Sequence, residues 1–185
     1  MDDDRSALHP LLAGRRSPRA FDPHTEVTEQ ELAVLFEAAR WAPSNHNSQP
    51  WRFLVGRRDG DLYKRIFAQV APHNQRWAGN APLLLAGAYL TESGQGKPLR
   101  YAAYDLGGAM AHLTIQATSM GLYVHQMAGF DAAALHAELE LPAEIVLKVI
   151  VAVGRLRDPA TLPDDLRERE EAPRVRCPVG RLMLR

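Results

Sequence analysis

The chain of 185 residues contains one cysteine, Cys177, and no excess of charge of either sign. A single cysteine excludes a disulfide within the chain. The 22 basic and 22 acidic residues give a formal net charge of zero, whereas a domain that binds nucleic acid usually carries a basic excess. The composition therefore argues against nucleic acid as a partner.

Long apolar runs are also missing. The longest, residues 145–153, is interrupted by Lys148, and about 20 apolar residues are needed to span a bilayer. The chain opens on the acidic residues Asp2 to Asp4 with no apolar run behind them, so we expect no secretory signal or transit peptide. We expect a cytoplasmic protein that does not bind membranes.

The common motifs for phosphate, dinucleotide and metal binding are absent as well. The segment 94–97 superficially resembles a phosphate-binding loop, but Thr91 replaces its first glycine and Pro98 replaces the hydroxyl residue that would bind magnesium. No G-x-G-x-x-G sequence opens a helix after a strand. The seven histidines are widely separated, and none forms a metal-ligand pair with a neighbouring histidine or cysteine. We expect no metal site and no side-chain nucleophile.

The chain alternates between helical and strand-like patterns. Thr28 and Glu31 form the pattern of a capping box, and Pro43 ends the helix that follows. Further helices are predicted over residues 6–13, 62–70, 99–122 and 131–139, and strands over residues 51–55, 82–89, 124–127 and 145–154. Gly107 and Gly108 inside the longest helix indicate either a close contact with another helix or subunit, or a break into two helices.

The composition changes after Gly154. Residues 157–176 are mostly charged and contain several prolines, so this segment cannot bury a core of its own. It is either disordered or an arm that lies across another surface. Residues 179–184 are more apolar and could add a strand to the edge of a partner's sheet.

Two basic clusters lie near opposite ends of the chain. The first is Arg15-Arg16-Ser17-Pro18-Arg19, and the second is Arg174 with Arg176. Because guanidinium groups present a fork of donors that fits phosphate oxygens, the clusters suggest one small anionic ligand held by both. The alternative is that both are solvated surface.

A polar loop lies between a predicted helix and a predicted strand, with the sequence Pro43-Ser44-Asn45-His46-Asn47-Ser48-Gln49-Pro50-Trp51. Amide side chains both donate and accept hydrogen bonds, so they can recognise the polar edge of a flat heterocycle. Alternatively, the loop is a turn whose side chains satisfy its own backbone.

Taken in order, these segments resemble the FMN-dependent nitroreductase family over nearly the whole chain. The family opens with an arginine-serine cluster and continues with a Pro-Ser-x-x-Asn-x-Gln-Pro-Trp loop, a flavin-contacting Asn segment, a long central helix, a Gly-Phe turn and a terminal basic pair. The matching positions are Arg15, Ser17 and Arg19; Pro43, Ser44, Asn47, Gln49, Pro50 and Trp51; Asn74; residues 105–109; Ala128, Gly129 and Phe130; Arg174 and Arg176.

The resemblance implies an α+β, three-layer, nitroreductase-like fold, with a central, mostly antiparallel sheet flanked by helices. Residues 1–154 would form the FMN-binding core. Residues 155–185 would form a C-terminal arm that is exchanged between subunits and orders only on dimerisation. The resemblance also implies a homodimer with its FMN sites at the interface.

The family also implies roles for individual residues. Phosphate would be bound by Arg15, Ser17, Arg174 and Arg176, and Arg16 would lie either there or on the ribityl chain. Arg19 and Asn74 would contact the pyrimidine end of the flavin, and the backbone of Ala128 and Gly129 its N5 region. Pro43, Ser44 and Asn45 would reach the flavin from the other subunit, and Asn47 of the same loop would also bind the cofactor. Pro18, Trp77, Ala128 and Cys177 depart from the residues that many members carry.

The implied activity is hydride transfer from NADH or NADPH, through the flavin N5, to small acceptors such as nitroaromatics or quinones, in ping-pong order. Two alternatives remain open. One is other flavin chemistry on the same fold, namely reductive dehalogenation or flavin cleavage, because fold does not fix chemistry. The other is a non-catalytic FMN-binding dimer.

Overall fold

Four antiparallel strands form the centre of the computed structural model, which describes residues 7–184. The strands are β1 (Trp51–Arg57), β2 (Leu83–Leu90), β3 (Tyr123–Met127) and β4 (Ile145–Gly154). The helices are α1 (Pro10–Gly14), α2 (Glu29–Arg40), α3 (Asp61–Ala68), α4 (Pro72–Ala78), α5 (Ala102–Ser119), α6 (Ala132–Glu138) and α7 (Asp164–Glu171). Short 3₁₀ turns lie at Asn45–Asn47, Pro159–Thr161 and Val179–Arg181.

The strand order across the sheet is β1-β2-β4-β3, so β2 and β4 are central and β1 and β3 form the two edges. Successive residues of a strand point to opposite faces. Leu83 and Leu85 accordingly enter one core cluster, while Leu84 and Ala86 enter the other. Burial on both faces explains why β2 appears in the sequence as an almost unbroken apolar run.

Helices cover both faces of the sheet and give three layers. On one face, α2 and α5 pack through Leu35, Leu113 and their neighbours. On the other, α3, α4 and α6 pack through Ile66, Trp77 and Leu135. The expected α+β fold, with a central antiparallel sheet flanked by helices, is confirmed.

The two longest helices, α2 and α5, test two local features of the sequence. The Thr28 hydroxyl accepts a hydrogen bond from the Glu31 N–H at 3.1 Å, and the Glu31 carboxylate accepts one from the Thr28 N–H at 2.8 Å. This confirms the predicted capping box at the start of α2. Helix α5 runs without interruption, so the predicted alternative of a break at Gly107 and Gly108 is wrong.

The sequence pattern did not predict helix α4, and it placed the first helix several residues too early. The predicted helix over residues 6–13 lies at Pro10–Gly14 in the structure, and its residue 6 is outside the described residues. Helix α4 begins with Pro72, a residue favoured at the first helical position because it needs no hydrogen-bond acceptor there. Among the helices of residues 7–184, none has both the length and the apolar character required to cross a bilayer.

The segment after β4 packs on its own chain as far as α7. Leu162 and Leu166 are buried in the core cluster on the α3, α4 and α6 face of the sheet, and Asp165 pairs with Arg76 at 2.7 Å. This part of the expected arm therefore contacts the core of its own chain. Residues 179–181 form a 3₁₀ turn rather than a strand. The exchange of the arm between subunits remains a prediction for the exposed residues that follow α7.

Candidate functional site

Residues 15–20 have no helical structure and connect α1 to Phe21, which forms an isolated antiparallel β-bridge with Leu156. The arginines of the first basic cluster therefore point in different directions. Arg15 donates from Nη1 to the Ser17 hydroxyl at 3.3 Å. Arg16 instead donates from Nη2 to the Glu170 carboxylate at 3.0 Å. The structure thus separates Arg16 from the Arg15 and Ser17 pair.

The second basic cluster joins Arg15. Arg174 donates to the backbone carbonyls of Arg15 and Ala13, each at 2.6 Å. Partial burial and then the positive charges of Arg176 and Arg174 hold the pKa of Arg15 below its ordinary value. Arg15, Ser17, Arg174 and Arg176 are called the anion cluster below.

Crowding like charges in a half-buried place is unfavourable unless an anion offsets it. Within residues 7–184, no carboxylate pairs with Arg15, Arg174 or Arg176. The donor set and its charge therefore fit a phosphate group. A cleft of about 440 Å³ adjoins it, lined among others by Ser17, Arg19 and Arg174.

Glu170, on α7, is the partner of the other two arginines of the first cluster. Its side chain is only 2% exposed. It accepts hydrogen bonds from Arg16 Nη2 and from the Arg19 N–H, both at 3.0 Å, and it pairs with Arg19 Nη1 at 3.6 Å. Sequence reasoning missed Glu170 in a run of acidic residues. Its spacing of four from the apolar Leu166 is the one signal that places it on the inward face of a helix.

Asn74 and Gly129, both predicted flavin contacts, lie together. The Ala71 N–H donates to the Gly129 carbonyl at 2.9 Å. A Cβ added at Gly129 would lie 3.4 Å from Asn74 Nδ2 and 3.3 Å from the His73 ring, so only glycine fits here without displacing a neighbour. Ala128 is exposed beside them.

Trp77 links Asn74 to the first basic cluster. Trp77 is 1% exposed. The centroid of its ring lies 4.4 Å from that of the His125 imidazole and 6.2 Å from that of the Phe21 ring. His125 in turn donates from Nδ1 to the Pro18 carbonyl at 2.8 Å. Trp77 is therefore a core residue and does not occupy the place of a side chain that faces a ligand.

The polar loop lies elsewhere. Asn45, His46 and Asn47 are exposed, and the φ angles of His46, Asn47 and Gln49 are +52°, +55° and +45°. Such angles are strained for residues other than glycine, and strain of this kind is concentrated at functional sites. The Ser44 hydroxyl accepts from the Gln49 N–H at 3.1 Å.

Asp105, at the start of α5, holds the polar loop through a hydrogen bond to its backbone. Its carboxylate accepts a hydrogen bond from the Asn45 N–H at 3.1 Å, and the residue is 4% exposed. Sequence reasoning included Asp105 in the central helix without assigning it this role, because 60 residues separate the two partners.

The structure keeps the loop apart from the other predicted site residues. The loop leads into β1 at one edge of the sheet, whereas the first basic cluster contacts β3 at the opposite edge. Three strand spacings separate these edges, roughly 14 Å. A single chain therefore does not bring Pro43, Ser44, Asn45 and Asn47 to the anion cluster.

The model of the nitroreductase family matches residues 12–74 and 67–155 of this chain. The chain belongs to the nitroreductase family. It is 32% identical to Protein DrgA of Synechocystis over 197 residues, which cover 91% of each chain. It is also similar to a solved oxidoreductase containing FMN, at 35% identity and a TM-score of 0.89, with 96% of this chain and 90% of that one covered. A shorter match, 43% identical over 72 residues, links it to the major NAD(P)H-flavin oxidoreductase of Aliivibrio fischeri and covers 36% of this chain and 33% of that protein.

In this member of the nitroreductase family, the partly buried His125 predicts a pH-dependent stability. Burial lowers the pKa of His125 from 6.5 to about 4, and the charge of Arg19 adds to this effect while the bond to Pro18 opposes it. The unfolded chain therefore binds a proton as pH falls below 6.5, and the folded chain does not. We expect this one group to lower the free energy of unfolding by up to about 3 kcal/mol between pH 7 and pH 4.

Urea unfolding of the wild type and His125→Gln between pH 7 and pH 4 isolates that contribution, because all other titrating groups are shared. The wild type should lose stability more steeply, over the window from pH 6.5 down to about 4. Parallel stability curves for the two proteins would show that His125 does not cause the dependence.

Proposed function

We propose that the protein is a homodimeric FMN-dependent oxidoreductase that takes electrons from NADH or NADPH and passes them to small acceptors such as nitroaromatics or quinones. The observation that carries this proposal is the anion cluster. It brings Arg15 and Arg174, from opposite ends of the chain, into contact. Helix α4, which carries Asn74, is connected to the same segment through Trp77, His125 and the Pro18 carbonyl.

Each group of residues has a task in this proposal. Arg15, Ser17, Arg174 and Arg176 hold the phosphate of FMN. Arg19 and Asn74 lie toward the pyrimidine end, where a fixed cation favours the charge of the reduced ring. Gly129 leaves its backbone accessible near N5. Bound FMN supplies the hydride chemistry, whereas the protein provides binding, orientation and electrostatics.

In the proposed dimer, the second chain supplies the polar loop, which within one chain lies at the β1 edge of the sheet, away from the anion cluster. The outer face of α2 and α5 exposes large apolar side chains, with Trp41 72% and Tyr104 82% exposed. Among the described residues, nothing lies within 4 Å of a Cβ added at Gly107 or Gly108. A second copy can therefore approach α5 closely there.

That contact would also deliver the polar loop, because Asp105 holds the loop against the same helix. The 43–49 loop of a second copy would then complete each site. The end of the chain suits the same arrangement, since Val175, Val179, Leu182 and Leu184 are all exposed. We propose that this terminal segment lies on the second copy.

The decisive experiment is the visible spectrum of the purified protein, with its size by light scattering and its oxidation of NADH and NADPH with a quinone or a nitroaromatic. We expect a yellow dimer that oxidises a nicotinamide. A colourless protein that takes up no added FMN would contradict the proposal. A holoprotein that neither nicotinamide reduces would leave the alternative of a non-catalytic FMN-binding dimer.

A further inference from the structure

Glu170 places a buried negative charge against two arginines of the first basic cluster. Two donors bond its carboxylate, the Arg16 guanidinium and the Arg19 backbone N–H, and the Arg19 guanidinium forms an ion pair with it at 3.6 Å. The Glu170 backbone carbonyl also accepts from Arg16 at 2.9 Å. The carboxylate therefore fixes both the backbone and the side chain of Arg19.

The exposure of this carboxylate distinguishes it from its neighbours. With a side chain 2% exposed, it exerts its charge in a poorly screened place, unlike the surface ion pairs of the molecule. Glu171, the next residue, is exposed. The same charge on adjacent residues thus occupies two different environments.

We propose that Glu170 is a positioning residue that fixes Arg19 and reduces the positive charge which Arg19 presents to the cleft. This inference rests on the proposed FMN site. The carboxylate would hold Arg19 in place for the pyrimidine end of the flavin. Its charge would also oppose accumulation of negative charge on the reduced ring, and so keep the reduction potential lower than Arg19 alone would set it.

Two substitutions separate geometry from charge. Glu170→Gln keeps an oxygen that accepts from the Arg19 N–H but removes the negative charge. Glu170→Ala removes both. Glu171→Ala is the matched control because it removes the same type of side chain one position away, on the surface.

The first measurement needs no flavin. Hydrogen exchange of the flavin-free protein should show the Arg19 amide at least about tenfold less protected in Glu170→Ala than in the wild type, since its acceptor is lost. Glu171→Ala should leave that amide unchanged. Equal protection in wild type and Glu170→Ala would overturn the positioning role, whether or not the protein binds FMN.

The second measurement is the midpoint potential of the holoprotein. Glu170→Gln should bind reduced relative to oxidised FMN about tenfold more favourably, which is a rise of about 30 mV for a two-electron couple. An unchanged potential in Glu170→Gln would overturn the electrostatic role. Absence of FMN from the wild type would instead defeat the proposed function and, with it, the electrostatic role, leaving the exchange result to decide the positioning role.

Discussion

Arg15→Ala should weaken FMN binding by roughly 30- to 150-fold while leaving the protein folded. Burial and then the charges of Arg176 and Arg174 lower the pKa of Arg15, and Arg174 also bonds the Arg15 carbonyl, so Arg15 lies close to the other two arginines of the cluster. A hydrogen bond to a charged group contributes about 2–3 kcal/mol, which corresponds to that range of affinity. Fluorescence titration of the flavin-free protein with FMN measures the effect.

Two further variants make the test specific. Arg15→Lys keeps the charge but loses the planar fork, so its affinity should lie between those of the wild type and Arg15→Ala. Arg65→Ala removes an arginine whose partner is the half-exposed Glu138 on another face of the molecule, and it should bind FMN normally. Unchanged affinity in Arg15→Ala would remove the anion cluster from the FMN site.

Trp77→Ala should produce a large loss of stability, about 3–5 kcal/mol, as is typical when a large buried aromatic side chain is truncated in a core. The indole is 1% exposed and packs between Phe21 and His125, so truncation leaves a cavity beneath both. For a chain of this length the melting temperature should fall by about 10 °C. Urea and thermal unfolding measure the change.

Trp77→Phe is the control because it keeps a ring between the same neighbours. Its loss of stability should be less than half of the loss in Trp77→Ala. Trp77→Ala should also weaken FMN binding, because Asn74 is carried on the same short helix. A Trp77→Ala protein within about 1 kcal/mol of the wild type would show that this packing does not support the site.

Local signals in the sequence determined the elements that could be predicted. Thr28 and Glu31 are three residues apart, and their mutual bonds mark the start of α2. The strand predicted over residues 145–154 agrees with β4 at both ends, since an apolar run of that length is bounded by Pro142 and Gly154. The chemistry of the arginines suggested one anionic ligand for both basic clusters, and the resemblance to a family assigned phosphate to Arg15, Ser17, Arg174 and Arg176. The structure brings these residues together.

Pairings across long sequence distances could not be predicted. Glu170 lies 154 residues from Arg16, and in the sequence only its spacing of four from Leu166 distinguishes it from the solvated Glu168 and Glu171. The burial of Glu170 depends on where α7 packs against the rest of the molecule, and the local sequence does not specify that position. The packing of Leu162 and Leu166 went unpredicted for the same reason. The two are sparse among charges, yet a few apolar side chains suffice to dock a short helix on an existing core.

The separation of the polar loop and the anion cluster on opposite edges of the sheet leads to a pattern of inheritance. In a dimer whose sites each take the cluster from one chain and the loop from the other, a gene copy damaged in the cluster and one damaged in the loop would complement each other. Their mixed dimer would contain one intact site. A copy damaged in both places would instead be dominant, because it would disable both sites of any dimer that it formed with a normal chain.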